Sequence, residues 1–127
     1  MTKDELTELD REVAELLGMV QISEYYWKDT NGHTILDGTL WKPTENRSQW
    51  AELLERFEID IRRIRRLEDG YYEKGVCEWE AEVIYPNEDD PNYKWITEVG
   101  LTPGVAVVRA TIALLRSERD EQIFYYG

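Results

Sequence analysis

The sequence predicts an α+β domain: an antiparallel β-sheet packed with helices, α-β-α sandwich-like in its layering. Three observations lead there. Apolar residues recur at helical spacing behind N-cap residues near residues 3–17, 47–58 and 103–118. Segments between them alternate apolar and polar residues, as half-buried strands do. The resulting order, helix, hairpin, helix, strands, helix, describes helices set against an antiparallel sheet. At 127 residues the chain reads as one domain, 1–127, long enough to bury a core without disulfides.

The elements follow in order. Thr2-Lys3-Asp4-Glu5 is a capping box, and Leu6, Leu9, Val13, Leu16 and Leu17 form the stripe behind it, with Gly18 as the stop. The runs ISEYYWKD and HTILDGTLW flank Thr30-Asn31-Gly32, and Asn-Gly between β-prone runs predicts a hairpin there. Asn46-Arg47-Ser48-Gln49 is a second capping box, and Trp50, Leu53, Leu54 and Phe57 give the next helix one apolar face. Residues 59–67 fit two patterns: Ile61 and Ile64 continue the helical stripe, while the β-branched content favours a strand. In VCEWEAEVIY, Cys77, Trp79, Ala81, Val83 and Tyr85 alternate with Glu78, Glu80 and Glu82, a strand with one buried face. Residues 86–92 form a loop, residues 93–99 a further strand, and Thr102-Pro103 opens the last helix with Thr as N-cap and Pro at N1.

Composition narrows the function. The net charge of −12 argues against binding bulk DNA or RNA, yet leaves room for a small nucleotide in a local basic pocket or for an acidic partner of a basic protein. The single Cys77 excludes an intramolecular disulfide and fits a reducing compartment. The N-terminus is charged from its third residue, unlike a secretory signal, and no apolar run approaches the roughly 20 residues of a membrane span. A cytoplasmic protein is expected. His33 is the sole histidine, so a structural Cys/His metal site is not expected, and no phosphate-binding glycine loop or nucleophile elbow is present. Glu78, Glu80 and Glu82 read as one solvated strand face. The sequence therefore predicts neither catalysis nor a cofactor. Arg62, Arg63, Arg65 and Arg66 could line an anion-binding strip or pair across the sheet with the glutamate row.

The last helix poses the sharpest question. Val105, Val108, Ile112 and Leu115 make one stripe, Val107, Thr111 and Leu114 lie on another side, and Arg109 and Arg116 flank the first. A helix apolar over so much of its surface is covered on both sides, and a second subunit is the expected second cover. Arg109, with Thr102, sits close enough to the positive end of the helix to help hold a phosphate. Arg116, about 20 Å from that end, would serve another site. Tyr85, Asn92, Tyr93 and Trp95 border the loop that precedes this helix and complete the candidate ligand contacts.

Three segments resemble the phage ABA sandwich domain family: LTELDREVAELLG, LWKPTENRSQWAELLERF and EVGLTPGVAVVRATIALL. The matching features are Leu9-Asp10 with Val13-Ala14, the stretch from Trp41 to Trp50, and Thr102-Pro103 with Ala106, Arg109 and Ala110. The resemblance spans almost the whole chain. It implies kinship with the first type of Thoeris anti-defence protein, an oligomeric sponge that sequesters cyclic ADP-ribose isomers, and in some cases cyclic dinucleotides, without cleaving them. It implies a phage protein acting in the cytoplasm of the infected bacterial host, and it carries over Arg109 as a ligand contact. The acidic loop Glu88-Asp89-Asp90 departs from that picture, because it would repel a phosphate. The alternative expectation is an acidic phage protein that blocks a basic surface of a host defence factor, as anti-CRISPR or anti-restriction proteins do.

Overall fold

The computed structural model describes residues 1–23, 26–28, 40–68, 71–85 and 94–126, with side chains described over 1–23, 26–28, 40–64, 78–84 and 95–118. Its elements are α1 (Lys3–Leu16), β1 (Val20–Ser23), β2 (Tyr26–Lys28), α2 (Arg47–Arg56), β3 (Asp60–Glu68), β4 (Tyr71–Tyr85), β5 (Lys94–Gly100) and α3 (Pro103–Tyr126). β1 and β2 form a small antiparallel sheet, and β3-β4-β5 form a second antiparallel sheet in that order. The α+β class is the one the sequence predicts.

Caps set the helix boundaries. The Thr2 hydroxyl accepts from the Glu5 amide at 3.2 Å, and the Asn46 side chain accepts from the Gln49 amide at 3.1 Å. At α3 the Thr102 hydroxyl accepts from the Val105 amide at 3.3 Å, with Pro103 in the first turn. The two shorter helices end in the same motif. In α1 the Met19 amide reaches back to the Ala14 carbonyl, with Gly18 at φ 78° between them. In α2 the Ile59 amide reaches the Leu54 carbonyl across Glu58, at φ 52°. This second stop decides the ambiguity over residues 59–67. The left-handed turn at Glu58 breaks the helix, Ile59 is buried beneath it, and the chain leaves as β3.

One expectation is corrected. The run ISEYYWKD is not a single arm of a hairpin about Asn31-Gly32. Its two ends belong to different strands: Ser23 pairs with Tyr26, and Val20 and Gln21 just ahead of the run pair with Lys28 and Trp27, with a register shift between Gln21 and Ser23. The Asn31-Gly32 turn and the run after it lie outside the described residues.

α3 is the centre of the fold. It packs on the β3-β4-β5 sheet, and α1 and α2 make their main contacts with α3. Val105, Ala106, Val107, Val108, Ala110, Thr111, Ile112 and Leu114 are all buried within one chain. The cover expected from a second subunit over Val107 and Leu114 is thus supplied by the chain itself. The helix also extends to Tyr126, beyond the predicted end near 118. Across the sheet, Ile61 and Arg63 of β3 stand opposite Ala81 and Trp79. On the far side of β4, Glu98 and Ile96 of β5 stand opposite Ala81 and Val83. Ala81 and Val83 are buried toward α3.

Candidate functional site

The three segments that carry the family resemblance converge on one buried polar knot. Asp10, on α1, is 5% exposed. Its two carboxylate oxygens accept from the Thr44 amide and the Thr44 hydroxyl, each at 2.9 Å. Its backbone carbonyl accepts from the Trp41 indole N–H at 2.8 Å. Burial pushes the Asp10 carboxyl up to about 6, against the opposing pull of the two Thr44 bonds. Gln49 completes the clamp: its side chain accepts from the Lys42 amide at 2.6 Å and donates to the Leu40 carbonyl at 2.7 Å. The capping box is therefore half-formed: the Gln49 backbone amide donates to Asn46, but its side-chain amide is spent on the preceding loop. Gly104 of α3 closes the knot from the other side. A Cβ there would meet the Thr44 carbonyl oxygen at 2.3 Å. These residues fix segment 40–46 between α1, α2 and α3.

The expected ligand contacts are distributed as follows. Arg109 is half-buried; its Nη1 donates to the Val99 carbonyl at 2.7 Å, and its Nη2 approaches the Met1 sulfur at 3.9 Å. Thr102, three residues after Val99, caps α3. Arg116 pairs with Glu12 of α1, one heptad away. Trp95 is 57% exposed and lies opposite Ile84 in the β4–β5 pair. Tyr85 ends β4 opposite Lys94, with its side chain outside the described residues. Asn92 and Tyr93 lie outside the described residues altogether. The structure thus ties Arg109 to the end of β5 and Arg116 to α1.

Of the two cluster arginines whose side chains are described, Arg62 follows the cross-strand reading, whereas Arg63 stands opposite Trp79. Arg62 stands opposite Glu80, and its Nε donates to the Glu80 carboxylate at 2.8 Å. The side chains of Arg65 and Arg66 lie outside the described residues. The glutamates are not fully solvated as expected: Glu78, Glu80 and Glu82 are half-buried, because β4 is the central strand and its neighbours shield them.

A cleft of about 430 Å³ opens between α1, the β1–β2 sheet and residues 40–42. Trp27, Leu40 and Trp41 supply its apolar surface. Lys3, Arg11 and Lys42 bring three cations, and Asp4, Glu8 and Asp10 bring three acids, with Arg11 paired to Glu8. The size lies in the range of small-molecule sites. The Asp10 clamp holds the Trp41 indole through its N–H, so one wall of the cleft is preset. Sequence reasoning missed this site. The one available signal was Asp10 itself, a carboxylate falling on the apolar stripe between Leu6 and Val13.

Among the described residues no group of His, Cys, Asp and Glu side chains could hold a metal ion. Among them, too, no helix is long and apolar enough to cross a membrane. Comparison of the chain with family models, with curated proteins and with solved structures finds no match.

Proposed function

We propose that this is a phage anti-defence protein that binds a cyclic nucleotide immune signal, a cyclic ADP-ribose isomer or a cyclic dinucleotide, and sequesters it without cleaving it. The observation that carries the reading is the cleft beside Trp41. It sets two tryptophans beside three cations, which three acids in the lining balance, in a chain of net charge −12. Aromatic faces stack on bases, and ammonium or guanidinium groups bind phosphates. Arg109, held in place by the Val99 carbonyl, is the second candidate phosphate contact. The resemblance of the three motif segments supplies the signal class.

The test is incubation of the full chain with a panel of cyclic nucleotides, followed by heat release and mass spectrometry. One compound recovered intact, at no more than one equivalent per site, is the expected result. Retention of none, or a cleaved product in molar excess over protein, overturns the reading. A second reading, an acidic protein that occupies a basic surface of a host factor, is favoured by the sheet face turned away from α3. Asp60 stands there opposite Glu82, beside the exposed Ile84 and Trp95. Reversing Asp60 and Glu82 to lysine would abolish that binding and leave nucleotide retention intact.

A further inference from the structure

The β3-β4-β5 sheet has two edges of different character. β3 carries arginines at 62, 63, 65 and 66 and a register irregularity between Arg65 and Leu67. Charge and bulges of this kind keep foreign strands away. β5 has no such irregularity and only one cation, Lys94, with one acid, Glu98: it pairs with β4 in unbroken register from Lys94 to Gly100, and no described strand lies on its other side. Exposed apolar side chains gather around this edge. Trp95 is 57% exposed, its cross-strand neighbour Ile84 44%, and Leu101, just past the strand, 60%. Met1, 47% exposed, joins them through Arg109, which binds the Val99 carbonyl. Among the described residues this is a regular edge with no strand beside it, and such an edge flanked by exposed apolar residues is a pairing surface.

We infer that β5 is the strand through which two copies of this chain associate, antiparallel about a two-fold axis at Ile96, joining two three-stranded sheets into one of six strands. The occupant follows from the segment Lys94-Trp95-Ile96-Thr97-Glu98, which is complementary to itself when run in reverse. Lys94 falls opposite Glu98 of the second copy, Trp95 opposite Thr97, and Ile96 opposite Ile96. Opposite charges meet at both ends and an apolar pair meets at the centre, each a favourable cross-strand combination. Moving the axis to Thr97 sets Glu98 against Ile96 and requires the Val99 backbone, whose carbonyl Arg109 already holds. A two-fold contact is closed, because each copy uses the same patch, so assembly through it stops at the pair. The inference is independent of the ligand reading: it stands or falls on the size of the particle in the absence of any nucleotide.

The test is sedimentation of the full chain without ligand, over the accessible concentration range. The expected particle has twice the 15.1 kDa chain mass. Trp95→Lys adds charge at an exposed edge position and is expected to weaken the pair at least about tenfold, with the circular dichroism spectrum unchanged. The register has its own test. Glu98→Lys and Lys94→Glu each place like charges opposite one another and weaken association. The double swap restores it, an outcome that no general loss of stability produces. A monomer at every concentration, a pair indifferent to Trp95→Lys, or a double swap no better than the single changes overturns the inference.

Discussion

Asp10→Asn isolates the cost of holding a charge in the knot between α1 and segment 40–46. In the native protein the carboxyl is buried and pushed from 3.8 up to about 6, with burial the largest cause. The native state therefore holds a proton that the unfolded chain has already released. The stability this group contributes is fully present below pH 3.8 and is lost as pH rises through about 6. The interval corresponds to about 2–3 kcal/mol. Asparagine reproduces the protonated form: its oxygen accepts from the Thr44 amide, and its NH₂ replaces the second oxygen and donates to the Thr44 hydroxyl. Urea unfolding of both proteins across pH 4 to 7.5 measures the difference. Near the acid end the two curves are expected to lie close together. By pH 7.5 Asp10→Asn is expected to be more stable by about 2–3 kcal/mol. A constant gap between the two proteins, or a less stable Asp10→Asn at neutral pH, would refute the assignment of the raised carboxyl to Asp10. Other carboxylates titrate in both proteins and cancel from the comparison.

Three further expectations follow from the same geometry. Glu58→Gly relieves the left-handed backbone at φ 52°; it should raise stability by about 0.5–1 kcal/mol, and an unchanged or lower denaturation midpoint would contradict it. Gly104→Ala drives a Cβ into the Thr44 carbonyl; a loss of about 1–3 kcal/mol is expected, and a neutral effect in the same urea assay would contradict the close approach. Arg109→Ala removes the bond to Val99, so a stability loss of about 0.5–1.5 kcal/mol is expected from the backbone contact alone. If Arg109 also holds the nucleotide, calorimetry on the folded variant should show weaker binding, and unaltered affinity would remove it from the site.

Local chemistry made much of the fold legible. Thr2, Asn46 and Thr102 mark their helices because each side chain satisfies an amide that the helix leaves free. The alternation in β4 identifies its buried face. Legibility fails where the answer depends on what comes from elsewhere in the chain. The apolar surface of α3 announces that the helix is covered on all sides, but not that α1 and α2 do the covering. The run ISEYYWKD reads locally as one β-prone stretch, yet Ser23 in it pairs with Tyr26. The end of α2 at Glu58 is invisible because glutamate has no preference for the left-handed conformation it adopts. Among the candidate contacts, Arg109 stood out because an arginine in an apolar helix is conspicuous. Lys3, Arg11 and Lys42 did not, because charged residues on an exposed helix face or in a loop are ordinary. Only the docking of residues 40–42 against α1 brings them to one cleft.

The central place of α3 also constrains how the chain acquires its structure. The helix on which the sheet, α1 and α2 all pack follows every one of them in the sequence. During synthesis the earlier elements emerge with their apolar faces prepared and nothing to lay them against. Arg109 binds β5 ten residues behind it, whereas Arg116 meets Glu12 from the other end of the chain. Contacts of such separation close slowly, since a long loop must be ordered first. A nascent chain halted before Pro103 would expose Ala81 and Val83 along one sheet face and Val13 on α1, a sticky intermediate. Folding is then a late and cooperative event, triggered when the last helix leaves the ribosome.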